Sequence, residues 1–271
     1  MDDIYDDDDD YHSGENLTDY GSTLWGQNRA LLDAVLSSDI ESAQRAIDAG
    51  ADINARGQQE LTILQSAAIR CSDTIVSFLL SRGADVNARG GFPYGTALGA
   101  AAHRHDDNTS TLQLLLDHGA DPNDGVDANI PCEFGSFLPG PPLHAAAEGM
   151  KPAAVKLLLQ RGARVNAPGG MYGNALQAAC HYGYEPTVRV LLEAGADVNL
   201  KGGYHGTALQ AAARYGRIEL TQLLLDAGAD PTVQGGACGS ALNGAVERGH
   251  PHVARMLEGA IERWNQSHLH S

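Results

Sequence analysis

Large side chains are scarce in this sequence: aromatic residues fill 6% of the 271 positions, which argues against a core of bulky rings. Cysteine is scarce as well. Cys71, Cys132, Cys180 and Cys238 stand far apart and form no C-x-x-C pair, so neither a disulfide framework nor a zinc site is signalled, and the thiols read as reduced. No stretch is long and apolar enough to cross a bilayer, and the N-terminus lacks the positive start and apolar run of a secretory signal. Positive charge is missing from residues 1–23, which hold nine acidic residues: Asp2, Asp3, Asp6 to Asp10, Glu15 and Asp19. A run of this kind repels itself and has nothing to bury, so residues 1–23 are predicted to form a disordered acidic tail. The tail accounts for most of the formal charge of −16, leaving −7 on the remainder, and nucleic acid is not expected as a partner. Together these absences predict a monomer without cofactor or membrane anchor, in the cytoplasm or nucleus.

What the chain does contain is Ala, Leu and Gly, within a hydrophobic content of 43%. This composition suits thin helices packed closely on small side chains. The string G-A-D-x-N recurs in variant forms from Gly50, Gly83, Gly119, Gly162, Gly195 and Gly228, at spacings of 33, 36, 43, 33 and 33. A second string precedes each copy, seen as Thr96-Ala97-Leu98-Gly99-Ala100-Ala101, Pro142-Leu143-His144-Ala145-Ala146, Asn174-Ala175-Leu176-Gln177-Ala178-Ala179 and Thr207-Ala208-Leu209-Gln210-Ala211-Ala212. Thr96, Asn174, Thr207 and Ser240 can cap a first helix. Val155 to Leu159 and Val188 to Leu192 supply the apolar stripe of a second. Gly83, Gly162, Gly195 and Gly228 then stop that second helix, and the glycine pairs 90–91, 169–170, 202–203 and 235–236 mark hairpin-like fingers.

The double motif resembles the ankyrin family, whose helix-opening T-P-L-H-x-A appears here mostly as T-A-L-Q-x-A. In its glycine-rich fingers it is similar to the ankyrin arrays common in filamentous fungi. The resemblance implies an all-α solenoid of about seven helix-turn-helix units, at roughly 24–56, 57–89, 90–125, 126–168, 169–201, 202–234 and 235–264, followed by a short tail at 265–271. It also gives His144 a structural role and implies a partner protein held in the concave groove. Two spacings depart from the period. Three extra residues fall near Asp106-Asp107-Asn108, and ten fall between Gly125 and Pro142, where Phe134, Phe137 and Leu138 sit among prolines. That loop could fold over the groove and touch a partner, or pack on a neighbouring finger.

Two positions after each Ala run are predicted to face the groove: Ile69 and Arg70, His103 and Arg104, Glu148 and Gly149, His181 and Tyr182, Arg214 and Tyr215, Glu247 and Arg248. Fingertips add Phe92, Tyr94, Met171, Tyr172, Tyr204 and His205. The tyrosines and arginines among them are the residue types that most often anchor protein interfaces, although tyrosines repeated from unit to unit can equally be finger-stacking residues. The groove arginines also predict that the acidic tail competes with an acidic ligand. No G-x-S-x-G elbow, H-E-x-x-H or Walker loop is present. The reading is therefore a non-catalytic scaffold or adaptor. The alternative is a small-molecule enzyme or ligand-binding protein whose pocket is lined by His103, His181, His205 and Tyr215. A recognition segment cut from a larger protein is a third reading, against which Met1 and the polar C-terminal end are taken as natural termini.

Overall fold

The computed structural model describes residues 24–57, 60–70, 72–91, 94–104, 109–125 and 140–268. The acidic tail, Phe92, Cys71, Asp106 to Asn108, and the stretch carrying Cys132, Phe134, Phe137 and Leu138 lie outside the described residues. Within them the chain forms seven helix pairs: α1 (Leu24–Leu36) and α2 (Ile40–Asp48); α3 (Ile63–Arg70) and α4 (Asp73–Ser81); α5 (Ala97–His103) and α6 (Ser110–Asp117); α7 (Pro142–Glu148) and α8 (Pro152–Gln160); α9 (Ala175–Tyr182) and α10 (Glu185–Glu193); α11 (Ala208–Arg214) and α12 (Ile218–Asp226); α13 (Ala241–Glu247) and α14 (Pro251–His268). Each odd-numbered helix packs on the next odd-numbered one from α1 to α13, and the even-numbered helices pack likewise from α8 through α14. The architecture is the all-α solenoid that the repeat predicts.

The inner helices are nearly all small residues because both of their flanks are covered. In α5, every residue from Ala97 to Ala102 is buried, and in α11 every residue from Ala208 to Ala213. A larger side chain there would hold neighbouring backbones apart and open the row. The outer helices carry the bulk on one face only, with Val155 and Leu158 buried in α8 and Val188 and Leu191 in α10. No single pair encloses a core, so each relies on its neighbours to exclude water.

Helix starts follow the predicted caps. The side-chain oxygens of Thr96, Asn174, Thr207 and Ser240 accept the amides of Gly99, Gln177, Gln210 and Asn243. α7 begins instead on Pro142, whose missing N–H needs no partner at a first turn. The outer helices stop at glycines in the left-handed region, such as Gly195 at φ 83°. In the last unit the 33-residue period puts Ile261 where that glycine would fall. α14 therefore runs on to His268, past the boundary expected at 264.

The Asn of each G-A-D-x-N string reaches forward to the next copy. The Oδ1 atoms of Asn54, Asn87, Asn123, Asn166 and Asn199 accept the amides of Asp85, Asp121, Arg164, Asp197 and Asp230 at 2.8–2.9 Å. The Nδ2 groups of Asn87, Asn123 and Asn199 donate to the carbonyls of the next stop glycines, each at 3.0 Å. The sixth copy has no seventh ahead of it, and there the string ends in Thr232.

The fingers are narrow turns closed by the antiparallel bridges Gly169 to Gly173 and Gly202 to Gly206. Adjacent fingers are joined by backbone rungs, from Tyr204 N to Met171 O and from Ala237 N to Tyr204 O, both 3.0 Å. Gln177, the Gln of T-A-L-Q, sends Nε2 to the carbonyls of Leu200, Gly202 and Gly206 at 2.9–3.2 Å. Gln210 repeats this one unit later with Val233, Gly235 and Gly239. The concave face is thereby a rigid surface of inner helices and fingers.

Candidate protein-binding groove

Two columns of side chains line the C-terminal half of this face. In each Gly-Gly-x-y-Gly finger, residue y turns inward: Tyr172, His205 and Cys238. On the inner helices the corresponding groove position is His181, Arg214 and Glu247. The columns interleave. The Tyr172 ring stacks on His181 with centroids 4.3 Å apart, His181 Nδ1 lies 3.0 Å from His205 Nε2, and the Arg214 guanidinium meets the sulfur of Cys238.

Three tyrosines surround this wedge. Tyr182 meets His181 edge-on at 4.8 Å, Tyr204 meets His205 at 4.9 Å, and Tyr215 meets both imidazoles, at 4.6 and 5.6 Å. The Arg214 guanidinium stands 5.7 Å from the Tyr204 ring centre, within the range of a cation–π contact. Burial lowers the pKa of both histidines to about 4, aided for His181 by Arg217 and Arg214 and for His205 by His181 and Arg214. At neutral pH the pair is uncharged, and one ring donates its proton to the other. For Arg214, burial favours loss of the proton, but Cys238, Tyr204 and Tyr215 outweigh it and hold the guanidinium charged.

Of the residues predicted for the groove, Tyr182, Tyr204 and Tyr215 are 39%, 46% and 38% exposed, and His181 and Arg214 are half-buried. Tyr172 and His205 are not available to a partner: they are only 8% and 3% exposed. The reason is alternation, because successive finger residues point to opposite sides and y falls on the side facing the helices. Met171 is half-buried against the core, and Arg248 is exposed at the end of α13. Tyr94 and His103 form a separate contact nearer the N-terminus, with rings 5.2 Å apart, while Arg104 turns to Thr111 on α6 at 3.1 Å. Phe92, Phe134, Phe137 and Leu138 lie outside the described residues. Sequence reasoning passed over Arg217 and Cys238. The second was legible, since it stands one period after His205.

For catalysis the cluster offers little. The thiol of Cys180 is fully buried, and burial pushes its pKa up, away from thiolate formation. His181 and Tyr215 meet as edge-to-face rings, which is a packing contact. Among the described residues no three His, Cys, Asp or Glu side chains converge as metal ligands. His144 is buried below the Gly140 and Gly170 backbones, in keeping with a structural role.

The family model for ankyrin repeats matches three times, over residues 31–126, 124–202 and 143–235. The chain belongs to the ankyrin-repeat family. Similar relatives include the mitochondrial disaggregase of Bos taurus, 30% identical over 146 residues, which are 53% of this chain and 20% of that protein. The ankyrin repeat and KH domain-containing protein mask-1 of Caenorhabditis elegans is 34% identical over 105 residues, 39% of this chain and 4% of that protein. The chain thus spans a fifth or less of these relatives, and the similarity concerns their shared repeats. Among solved structures, the ankyrin repeat domain of human ASB11 superposes with a TM-score of 0.68 at 24% identity, over 84% of this chain and 96% of that one. The ankyrin repeat domain of Bcl-3, described as a unique member of the IkappaB protein family, gives 0.63 at 25% identity, over 84% and 97%. Ankyrin arrays are generally protein-interaction modules.

Proposed function

We propose that this ankyrin array is a non-catalytic scaffold that holds a partner protein in its concave groove, anchored by Tyr182, Tyr204, Tyr215 and Arg214. The observation that carries this reading is the exposed tyrosine patch whose rings are set by two neutral histidines, half-buried His181 and buried His205. Rings already fixed in place lose little freedom on binding, and an arginine held over one of them adds charge and hydrogen-bond donors to a flat apolar surface. The compartment proposed is the cytoplasm or nucleus, where free thiols such as Cys180 and Cys238 stay reduced.

The test is affinity capture from the native cell with three baits: wild type, the triple variant Tyr182→Ala, Arg214→Ala, Tyr215→Ala, and Arg189→Ala on the outer helix α10 as control. One specific protein should be retained by wild type and the control and lost by the triple variant. If the triple variant retains the same proteins, the groove is not the binding face. A metabolite or metal that co-purifies in place of a protein would favour the small-molecule reading. The acidic tail is proposed to compete for the groove arginines, so deleting residues 2–20 should tighten partner binding at low salt and have less effect at high salt.

A further inference from the structure

We infer that the protein segment held in this groove presents a lysine or arginine side chain to Glu148, beside the Gly169-Gly170 finger. This rests on the groove reading above and adds the chemistry of one contact within it. Glu148 occupies in α7 the place that His181 occupies in α9 and Arg214 in α11. The other two are engaged, His181 by Tyr172 and His205, and Arg214 by Cys238. Among the described residues, no hydrogen bond or ion pair reaches Glu148.

The charged and titratable groups on the surrounding elements do not supply a counter-charge. On the α5 side, His103 packs on Tyr94 and Arg104 turns away to Thr111. On the α9 side, His181 is neutral at pH 7. On its own helix His144 is neutral too, and among the described residues no ion pair joins Glu148 to Lys151, past the end of α7. Tyr94 feels the charge of both Glu148 and Arg70, while burial is what raises the pKa of Glu148. The stretch 126–139 contains no Lys, Arg or His and adds only Asp127 and Glu133.

The result is a partly desolvated carboxylate without a counter-ion, and burial pushes its pKa up to about 7. Glu148 is only part-buried, and its Oε1 lies beside the Gly170 backbone, 3.8 Å from where a Cβ would stand. A cation brought to this spot removes an existing electrostatic cost as well as adding an attraction. A metal ion is a poor occupant, because no second and third ligand converge with this carboxylate among the described residues. A Lys or Arg side chain needs only the one, and outside residues 1–23 the chain still carries −7, which draws basic partners at long range.

The test uses a synthetic array of short random peptides, probed with the full chain as wild type, Glu148→Gln, Glu148→Lys and the tyrosine-arginine triple variant. Wild type should enrich Lys or Arg at one place in the bound register. Glu148→Gln should lose that preference and weaken the best peptide by about tenfold, and Glu148→Lys should prefer Asp or Glu there. The carboxylate must shed its proton to pair, so wild-type affinity for that peptide should fall as pH drops below ~7 and level off about tenfold weaker, near the value of Glu148→Gln, which stays flat. Basic enrichment that survives in Glu148→Gln, or a pH-independent wild type, would overturn the inference. Wild-type binding that depends on the tyrosines but shows no basic preference would overturn it while leaving the groove reading intact. A wild type that retains no peptide would count against both.

Discussion

Gln177, itself fully buried, gives one side-chain amide to three part-buried carbonyls, that of Leu200 at the end of its own unit and those of Gly202 and Gly206 in the next. Replacing it with Ala leaves those carbonyls short of a donor, and each buried, unpaired polar group costs on the order of 1–3 kcal/mol. Gln177→Ala should therefore lower the urea midpoint, and Gln177→Leu, which keeps much of the volume, should lower it as far. Recovery of stability in the Leu variant would show that packing mattered and the hydrogen bonds did not. Glycines separate into two kinds by the same reasoning. At Gly195, φ is 83° and an added Cβ meets nothing within 4 Å, so Gly195→Ala should cost only the left-handed backbone penalty of about 1–2 kcal/mol. At Gly203, φ is 58° and the Cβ would run into the Tyr172 backbone of the neighbouring finger. Gly203→Ala should lower the melting temperature further, and equal shifts in the two variants would contradict the close finger packing.

At the scale of the element, helix starts and stops were legible because one residue decides each of them. The oxygens of Thr96, Asn174, Thr207 and Ser240 do what their position in the string suggests. Thr207→Ala should cost about 1 kcal/mol, with Thr207→Asn nearer wild type, read from guanidinium unfolding. An Ala variant as stable as wild type would mean that stacking alone holds the start of α11. The fingers were read less well. Tyr172 and Tyr204 look alike in sequence, yet Tyr172 shares its column with His205 and Cys238, while Tyr204 shares its column with Met171. Which column turns inward depends on finger geometry, and that geometry is set by backbone rungs between units that no single unit encodes. The tyrosine patch was therefore found, while its buried foundation was mistaken for part of the exposed surface. Glu148 was placed in the groove by its column, but its lack of a counter-charge is a property of its neighbours and shows only in three dimensions.

Across the whole molecule, buried titratable groups set how stability responds to acid. His144, His181 and His205 have pKa values of about 4, below the ordinary value of 6.5, so the unfolded chain binds more protons between those limits. Their contribution is complete above pH 6.5 and is lost as pH falls through that window. His144 alone, fully buried, corresponds to about 3 kcal/mol, and half-buried His181 contributes less because solvent reaches it. Glu148 acts in the opposite sense. Its raised pKa stabilises the fold below 4.5, and that contribution is lost as pH rises to about 7. With three groups against one, stability should change little from pH 7 to 6.5 and then fall steeply toward pH 4.5. His144→Gln introduces the residue found at the equivalent place in α9 and α11, and it should flatten the acid limb. Denaturant unfolding of wild type and His144→Gln at pH 7, 5.5 and 4.5 reads the difference directly. Parallel profiles would mean that His144 titrates in the fold much as it does in the open chain, and that this inner face is wetter than its burial implies.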